Sequence, residues 1–277
     1  MSGPGPGGHR SDIVGLVPAA GLGTRVASLP CSKEVFPVAL ARGSGDADLG
    51  VRVACDDVLE AMRLAGVDRV YVVLRDGKWD IPAYLGDGRE RGVHLAYLMM
   101  GSPWGVPFTL DQAYPFVRGR RVVCGFPDIL LRPRNVFTPL LAAMEASGSD
   151  AALALFPAGD PELVDQVDVD GEGRVRRLQV KPGPERLPHT WGAVAWGPAF
   201  TELLHGFVRE GAEEGIEASA GRGVAAAGRE ERHLGDVIRA ALDEGLRVEG
   251  VSFPDGGYVD VGVPENLLDV FQIGESR

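Results

Sequence analysis

The sequence predicts an α/β protein built on a mostly parallel sheet with helices on both faces. Short apolar runs at residues 13–17, 70–74, 121–125 and 151–156 have the length of strands buried on both sides. Between them lie stretches with apolar residues near helical spacing, clearest over 53–65. Alternation of the two is the pattern of parallel strands joined by crossover helices. A third observation qualifies the first two. Residues 166–181 alternate about Gly171-Glu172-Gly173, which predicts a small β-hairpin inserted late in the chain.

Strand 13–17 runs into Pro18-Ala19-Ala20-Gly21-Leu22-Gly23-Thr24-Arg25, a loop of mostly small residues. Residues 39–50, rich in Gly, Asp and Ala, predict a plain connection. Val58, Leu59, Met62 and Leu64 then mark a helix that Gly66 stops before strand 70–74. A short helix near 79–85 leads through Gly86-Asp87-Gly88 to a strand at 93–99. The breaker-rich stretch 101–108 predicts a loop, with a helix over 109–117 behind it. Strand 121–125 ends just before Phe126-Pro127-Asp128, and a helix at 135–147 and a strand at 151–156 precede the hairpin. After the hairpin come a strand at 191–196 and a helix at 198–209 that a proline opens. Residues 211–229, by their Gly, Ala and Glu content, predict an irregular connector. A helix at 233–244, a strand at 246–253 and a closing helix at 264–271 complete the order. No repeat and no linker divides residues 12–277, which predicts one domain behind a disordered Gly- and Pro-rich extension at 1–11.

Composition narrows the function classes. At 277 residues the chain can bury a full core, and its 45% hydrophobic and 24% charged content is ordinary for a globular protein. A formal net charge of −11 argues against a nucleic-acid surface, which needs a basic face. A local cationic pocket for a small anion remains compatible with it. No apolar run has the length of a membrane span, and the first ten residues lack a signal peptide's apolar core. Cys31, Cys55 and Cys124 are scattered, without metal-binding spacing, which fits a reducing compartment. The expected location is the cytoplasm.

The loop at 18–25 carries the first chemical signal. Without side chains in the way, backbone N–H groups at Ala20, Gly21, Gly23 and Thr24 can approach a phosphate closely. Arg25 adds a planar grip on phosphate oxygens and Lys33 a mobile point charge. The plain alternative is a tight turn with two surface cations. The loop is not a P-loop, since no Gly-Lys-Ser/Thr follows, nor a dinucleotide fingerprint, since Val26 stands where the third glycine belongs. Asp128, just past a strand's carboxyl end, lies where ligands gather in open parallel sheets. It equally suits a helix N-cap.

Ala20-Gly21-Leu22-Gly23-Thr24-Arg25, then Lys33, then Phe36-Pro37-Val38 resemble the N-terminal signature of sugar-1-phosphate nucleotidyltransferases. The resemblance continues along the chain. Pro103-Trp104-Gly105 is similar to the family's base-contacting loop, although Met100 stands where the family has Gln, as a core residue or as an altered base contact. Cys124-Gly125-Phe126-Pro127-Asp128 and Tyr258-Val259-Asp260-Val261-Gly262-Val263-Pro264-Glu265 resemble the two motifs whose aspartates bind a divalent metal. Gln179-Val180-Lys181-Pro182 keeps the Lys and Pro of the sugar-phosphate motif and replaces its Glu by Gln. Gly192 falls where the family has a glycine whose backbone approaches the sugar.

The resemblance implies a Rossmann-like, GT-A-like nucleotidyltransferase fold and magnesium-dependent transfer of a nucleoside monophosphate from a triphosphate to a sugar 1-phosphate. It implies Arg25 and Lys33 as catalytic groups, Ala20, Gly21, Gly23, Thr24 and Gly105 on the nucleotide, and Gln179, Lys181 and Gly192 on the acceptor. Asp128 and Asp260 would hold Mg²⁺. It also raises self-association as an expectation, while the end of the chain soon after the closing helix leaves no appended β-helix domain expected. Two further readings stay open: a cytidylyltransferase acting on a non-sugar phosphate such as phosphocholine, and a non-catalytic nucleotide-binding protein on the same scaffold. Asp168-Val169-Asp170 spells the DxD of nucleotide-sugar-dependent glycosyltransferases, but its place on the hairpin points to a turn cap.

Overall fold

The computed structural model describes residues 12–42, 49–101, 104–159, 161–181, 183, 185–220, 231–267 and 270. In chain order, β1 (Ile13–Pro18) is followed by a hairpin of β2 (Pro37–Arg42) and β3 (Leu49–Val53), then α1 (Ala54–Leu64) and β4 (Arg69–Arg75). Next come α2 (Asp80–Leu85), β5 (His94–Met100), α3 (Val106–Asp111), α4 (Tyr114–Val117) and β6 (Arg121–Gly125). The middle holds β7 (Ile129–Arg132), α5 (Phe137–Ser147), β8 (Ala151–Pro157), β9 (Gln166–Val169), β10 (Val175–Gln179) and β11 (His189–Trp196). The last third adds α6 (Pro198–Ala220), α7 (Leu234–Asp243), β12 (Val248–Ser252) and β13 (Gly257–Asp260).

Among the described residues, nine strands form one sheet whose main path runs β10-β9-β11-β6-β1-β4-β5, with β8 beside β11 and β12 beside β8. The half around β1 is parallel, β1 lying between β4 and β6. Beyond β6 the antiparallel strand β11 begins a mixed half. Alternate residues of β1 enter two cores, because side chains alternate across a strand. Ile13 and Val17 pack with Val58, Met62 and Phe137 of α1 and α5. Val14 and Leu16 pack with Leu110, Phe200 and Val237 of α3, α6 and α7. Gly15 leaves room for Met62, whose sulfur lies 2.6 Å from where a Cβ would stand.

This topology determines where a ligand goes. From β1 the chain builds outward to β4 and β5, then returns to lay β6 on the other side of β1. The strand order reverses between β1 and β6, and in open α/β sheets ligands gather outside the carboxyl ends at such a reversal. Both the loop after Pro18 and Asp128 leave the sheet there.

Several expectations need correction. Residues 39–50 are not a plain connection: β2 and β3 pair antiparallel across them, the Gly- and Asp-rich part being the span between the two strands. The helix expected over 109–117 starts at Val106 and divides into α3 and α4, the second carrying Pro115 in its first turn. Residues 129–132 form β7, so Asp128 precedes a strand and caps no helix. The connector expected at 211–229 is helical through Ala220, as α6 continues. The expected extension at 1–11 and residues 221–230 lie outside the described residues, as do 268, 269 and 271 of the expected closing helix; within that helix Pro264–Asn266 forms a 3₁₀ turn and Leu267 and Val270 are helical. The hairpin is present as β9 and β10, on the edge of the main sheet.

Candidate active site

The exit from β1 is pinned to its neighbour. Ala19 N–H bonds the Val73 carbonyl of β4 at 2.8 Å, and Ala20 is fully buried. The chain then turns outward. A Cβ on Gly21 would meet no protein atom within 4 Å, so packing gives no reason for the glycine there. Gly23 has φ 65°, a left-handed conformation that suits glycine, and it starts a 3₁₀ turn over Thr24–Val26. Buried Val26 anchors that turn, leaving Thr24 and Arg25 exposed. The Arg25 guanidinium stands 3.7 Å from an Asp260 oxygen.

Lys33 begins a second 3₁₀ turn, Lys33–Val35, and its ammonium lies 2.5 Å from Asp128 Oδ2. Burial, the largest influence, pushes the lysine pKa down, but Asp128 beside it, with Glu34 and Asp260, raises it above the ordinary lysine value. Lys33 is therefore a cation at every physiological pH.

Asp128 and Asp260 meet through a small sheet of their own. β13 pairs antiparallel with β7, setting Asp260 opposite Ile129, and Val261 N–H bonds the Asp128 carbonyl at 2.8 Å. Asp260 Oδ1 accepts the Gly262 N–H at 2.7 Å. A Cβ on Gly262 would stand 2.9 Å from Asp260 Oδ1, 3.1 Å from Lys33 Nζ and 3.2 Å from Asp128 Oδ2. Two carboxylates and one ammonium thus converge on one bare backbone position. Burial, then the neighbouring Asp128 charge, holds the Asp260 carboxyl above the usual carboxylate range.

Two hard carboxylate donors suit a magnesium ion, which completes its octahedron with waters and phosphate oxygens. Among the described residues no cluster of three or more acidic, His or Cys groups competes as a metal cage. The donor set fits a metal shared with a phosphate ligand better than a self-sufficient protein site.

The residues expected on the base and the acceptor are placed differently. Met100 is a core residue, buried at the end of β5, with the Thr109 hydroxyl 3.4 Å from its sulfur. Gly105, at φ 111°, starts α3 and bridges in parallel to Arg232, and a Cβ there would overlap the Arg232 carbonyl. Gln179 turns its amide inward on its own loop, donating to the Glu185 carbonyl at 2.8 Å and accepting the Glu185 N–H at 3.3 Å. Lys181 is exposed and bonds Asp165 through its backbone N–H. Gly192 sits in a bulge of β11 under Tyr258, Leu131 and Phe156. No hydrogen bond or ion pair among the described residues joins Gln179, Lys181 or Gly192 to Arg25, Lys33, Asp128 or Asp260. Pro103 and Pro182 lie outside the described residues.

Asp170 of the DxD accepts the Glu172 and Arg174 N–H groups, so it caps the hairpin turn. Sequence reasoning missed Ser32, Glu34, Lys78 and Asp80, which surround Lys33 by contacts reaching across 44 or more residues. The one available signal was the position of Lys78 and Asp80 past the carboxyl end of β4.

No family profile matches the sequence. Among curated proteins, the low-salt glycan biosynthesis nucleotidyltransferase Agl11 of Haloferax volcanii is 27% identical over 217 residues, covering 78% of this chain and 55% of the relative. A glucose-1-phosphate thymidylyltransferase of Streptomyces antibioticus is 24% identical over 221 residues, covering 76% and 54%. The chain spans about half the length of these relatives. Among solved structures, a candidate glucose-1-phosphate thymidylyltransferase from Bacillus anthracis in complex with a sucrose superposes with a TM-score of 0.74 at 16% identity, over 96% of each chain. A UDP-glucose pyrophosphorylase complexed with UDP-glucose gives 0.71 at 16% identity, over 94% of this chain and 97% of that one. The UTP-bound UGPase of Acinetobacter baumannii gives 0.66 at 17%, over 94% and 92%. These likenesses establish the fold.

Proposed function

We propose an activity from one premise: the named relatives and structural neighbours support a sugar-1-phosphate nucleotidyltransferase family for this chain. The proposed reaction transfers a nucleoside monophosphate from a nucleoside triphosphate to a sugar 1-phosphate, in the cytoplasm, where both substrates are made. An oxygen of the sugar phosphate attacks the α-phosphorus, the bond to the β-phosphate oxygen breaks, and pyrophosphate leaves with its electron pair. The attacking oxygen is already ionised at neutral pH, so positioning and charge neutralisation do the work.

The observation that carries this reading is the convergence of Lys33, Asp128 and Asp260 around Gly262, past the strand ends where the strand order reverses. The backbone of Ala20, Gly21, Gly23 and Thr24 receives the triphosphate, and Gly105 borders the base. Arg25, largely exposed beside Asp260, draws on the departing β- and γ-phosphates. Lys33 lies where negative charge grows at the α-phosphate. Asp128 and Asp260 would hold Mg²⁺, which when bound neutralises phosphate charge as a Lewis acid. Lys181 pairs with the phosphate of the acceptor, with Gln179 and Gly192 near its sugar.

The inward-turned Gln179 amide favours one second reading, a transferase for a different phosphate acceptor. A screen of nucleoside triphosphates against sugar 1-phosphates, with phosphocholine included, measures both by magnesium-dependent pyrophosphate release. Release with a sugar 1-phosphate supports the first reading, and release with phosphocholine and CTP alone replaces it with the second. No release with any pair overturns both and leaves nucleotide binding alone. Sedimentation of the same sample reads the expected self-association.

A further inference from the structure

Lys33 stands between two residues that a distant part of the chain holds in place. On one side, Ser32 donates its backbone N–H to Asp80 Oδ2 at 2.6 Å and its hydroxyl to Asp80 Oδ1 at 2.7 Å. On the other, the Lys78 ammonium donates to both Glu34 oxygens, at 2.9 and 2.7 Å. This second contact is almost wholly buried, with 5% of Lys78 and 1% of Glu34 exposed. Lys78 lies in the turn from β4 into α2 and Asp80 opens α2, and β4 is the parallel neighbour of β1. The turn past one strand therefore grips both flanks of the lysine offered by the loop past the next.

Stability alone is a weak reason to keep such a pair. Desolvating two charges consumes most of their attraction, and apolar residues of similar volume often serve a core as well. An ion pair with two hydrogen bonds supplies direction that an apolar contact lacks. A free lysine side chain samples many rotamers, whereas a backbone held at both neighbours limits where its ammonium can reach.

We propose that Lys78 and Asp80 are positioning residues for Lys33, clamping Glu34 and Ser32 so that its ammonium stays at Asp128 and in line with the α-phosphate. The proposal rests on the transferase reading above. It assigns a function to four side chains that the proposed mechanism places on no substrate.

The test uses two variants of the full chain. The double variant Glu34→Leu/Lys78→Met removes the ion pair but keeps apolar volume, and Asp80→Asn weakens the grip on Ser32. Each is compared with the unaltered protein by thermal melting, by kcat and KM, and by the rate at which an amine-selective reagent labels Lys33, read by mass spectrometry without substrate. The double variant is expected to melt close to the unaltered protein, lose about 10–100-fold in kcat with KM for the triphosphate little changed, and label Lys33 several-fold faster. Asp80→Asn should move all three readouts the same way by less. A folded double variant that keeps both kcat and the Lys33 labelling rate would overturn the clamp and leave the pair a structural contact. Should the double variant not fold, Asp80→Asn decides by the same criteria. If the unaltered protein releases no pyrophosphate, the transferase reading fails by itself, and the labelling rates still judge the clamp.

Discussion

The two groups of expected site residues are built on different principles. In the loops after β1 and β6, Lys33, Asp128 and Asp260 already touch or nearly touch, the two aspartates brought together by the pairing of β7 with β13. Along β10, β11 and the turn after Gln179, Gln179 serves its own loop, Lys181 faces solvent and Gly192 is buried under Tyr258, Leu131 and Phe156. Charge explains the difference. Three ionised groups at close range must be held rigidly, because a small displacement of any of them changes its energy steeply where water is scarce. On the proposed function, the second group would read the hydroxyls and one phosphate of the acceptor, which call for no such cluster of charges. The comparison predicts that phosphate chemistry is preorganised in this protein and acceptor recognition is not.

Removing a member of the charged trio should have the largest effect. Lys33→Ala and Asp128→Asn should each lower pyrophosphate release about 10²–10³-fold. Their combination should cost little more than either alone, because groups acting as a unit are not additive. A larger loss from Lys181→Ala than from Lys33→Ala would invert the comparison.

Asp260→Asn tests whether the trio carries strain. The raised Asp260 carboxyl binds a proton more readily in the folded protein than in the unfolded chain. Stability is therefore lost as pH climbs from the ordinary value of 3.8 through the raised one, and regained on acidification. The variant should lose about 10²-fold in activity yet melt higher than the unaltered protein at neutral pH, with the gain vanishing in acid. In the unaltered protein, activity should fall as acid protonates this same carboxyl. Melting curves and rates across the acid range measure both.

A pair of glycines separates ligand space from protein space. Gly21→Ala meets no protein atom, so urea unfolding should change by less than about 0.5 kcal/mol while KM for the triphosphate rises roughly tenfold. Gly105→Ala forces a side chain onto the Arg232 carbonyl at a positive φ and should destabilise the fold by about 1–3 kcal/mol. Equal effects at the two positions would remove the argument that Gly21 is kept for a ligand.

The smallest effects belong to the acceptor residues. Lys181→Ala should leave folding unchanged and raise KM for the acceptor several-fold, with kcat less affected. Gln179→Ala should loosen the turn to Glu185 by about 1 kcal/mol without altering KM for the triphosphate. Acceptor titrations at saturating triphosphate give both values.

Much of this was legible in the residues. Short apolar runs located β1, β4, β6 and β8 closely, and the small-residue stretch with Arg25 and Lys33 was legible as the loop that follows β1. Asp128 was marked by its place past a strand end. Hairpin β2–β3 was illegible because its flanks look like a Gly- and Asp-rich link, and pairing, not propensity, makes them strands. The extra turns of α6 were illegible because Gly211, Gly215 and Ala-rich sequence carry a weak helical preference of their own. Glu34 and Lys78 were read past altogether, since charged residues are rarely buried unless paired, and the pair spans 44 positions.

The order of residues alone gave most of the elements and the chemical types present: small residues after β1, and cations and carboxylates in loops at strand ends. These follow from local rules of backbone freedom, side-chain period and charge. Only the tertiary structure decided which of them meet. Asp128 and Asp260 are neighbours because two four-residue strands pair, and Lys33 is held because a turn past β4 reaches its flanks. Contacts of that kind depend on non-local pairing, whose free energy is shared over the whole fold and leaves no local trace in the chain.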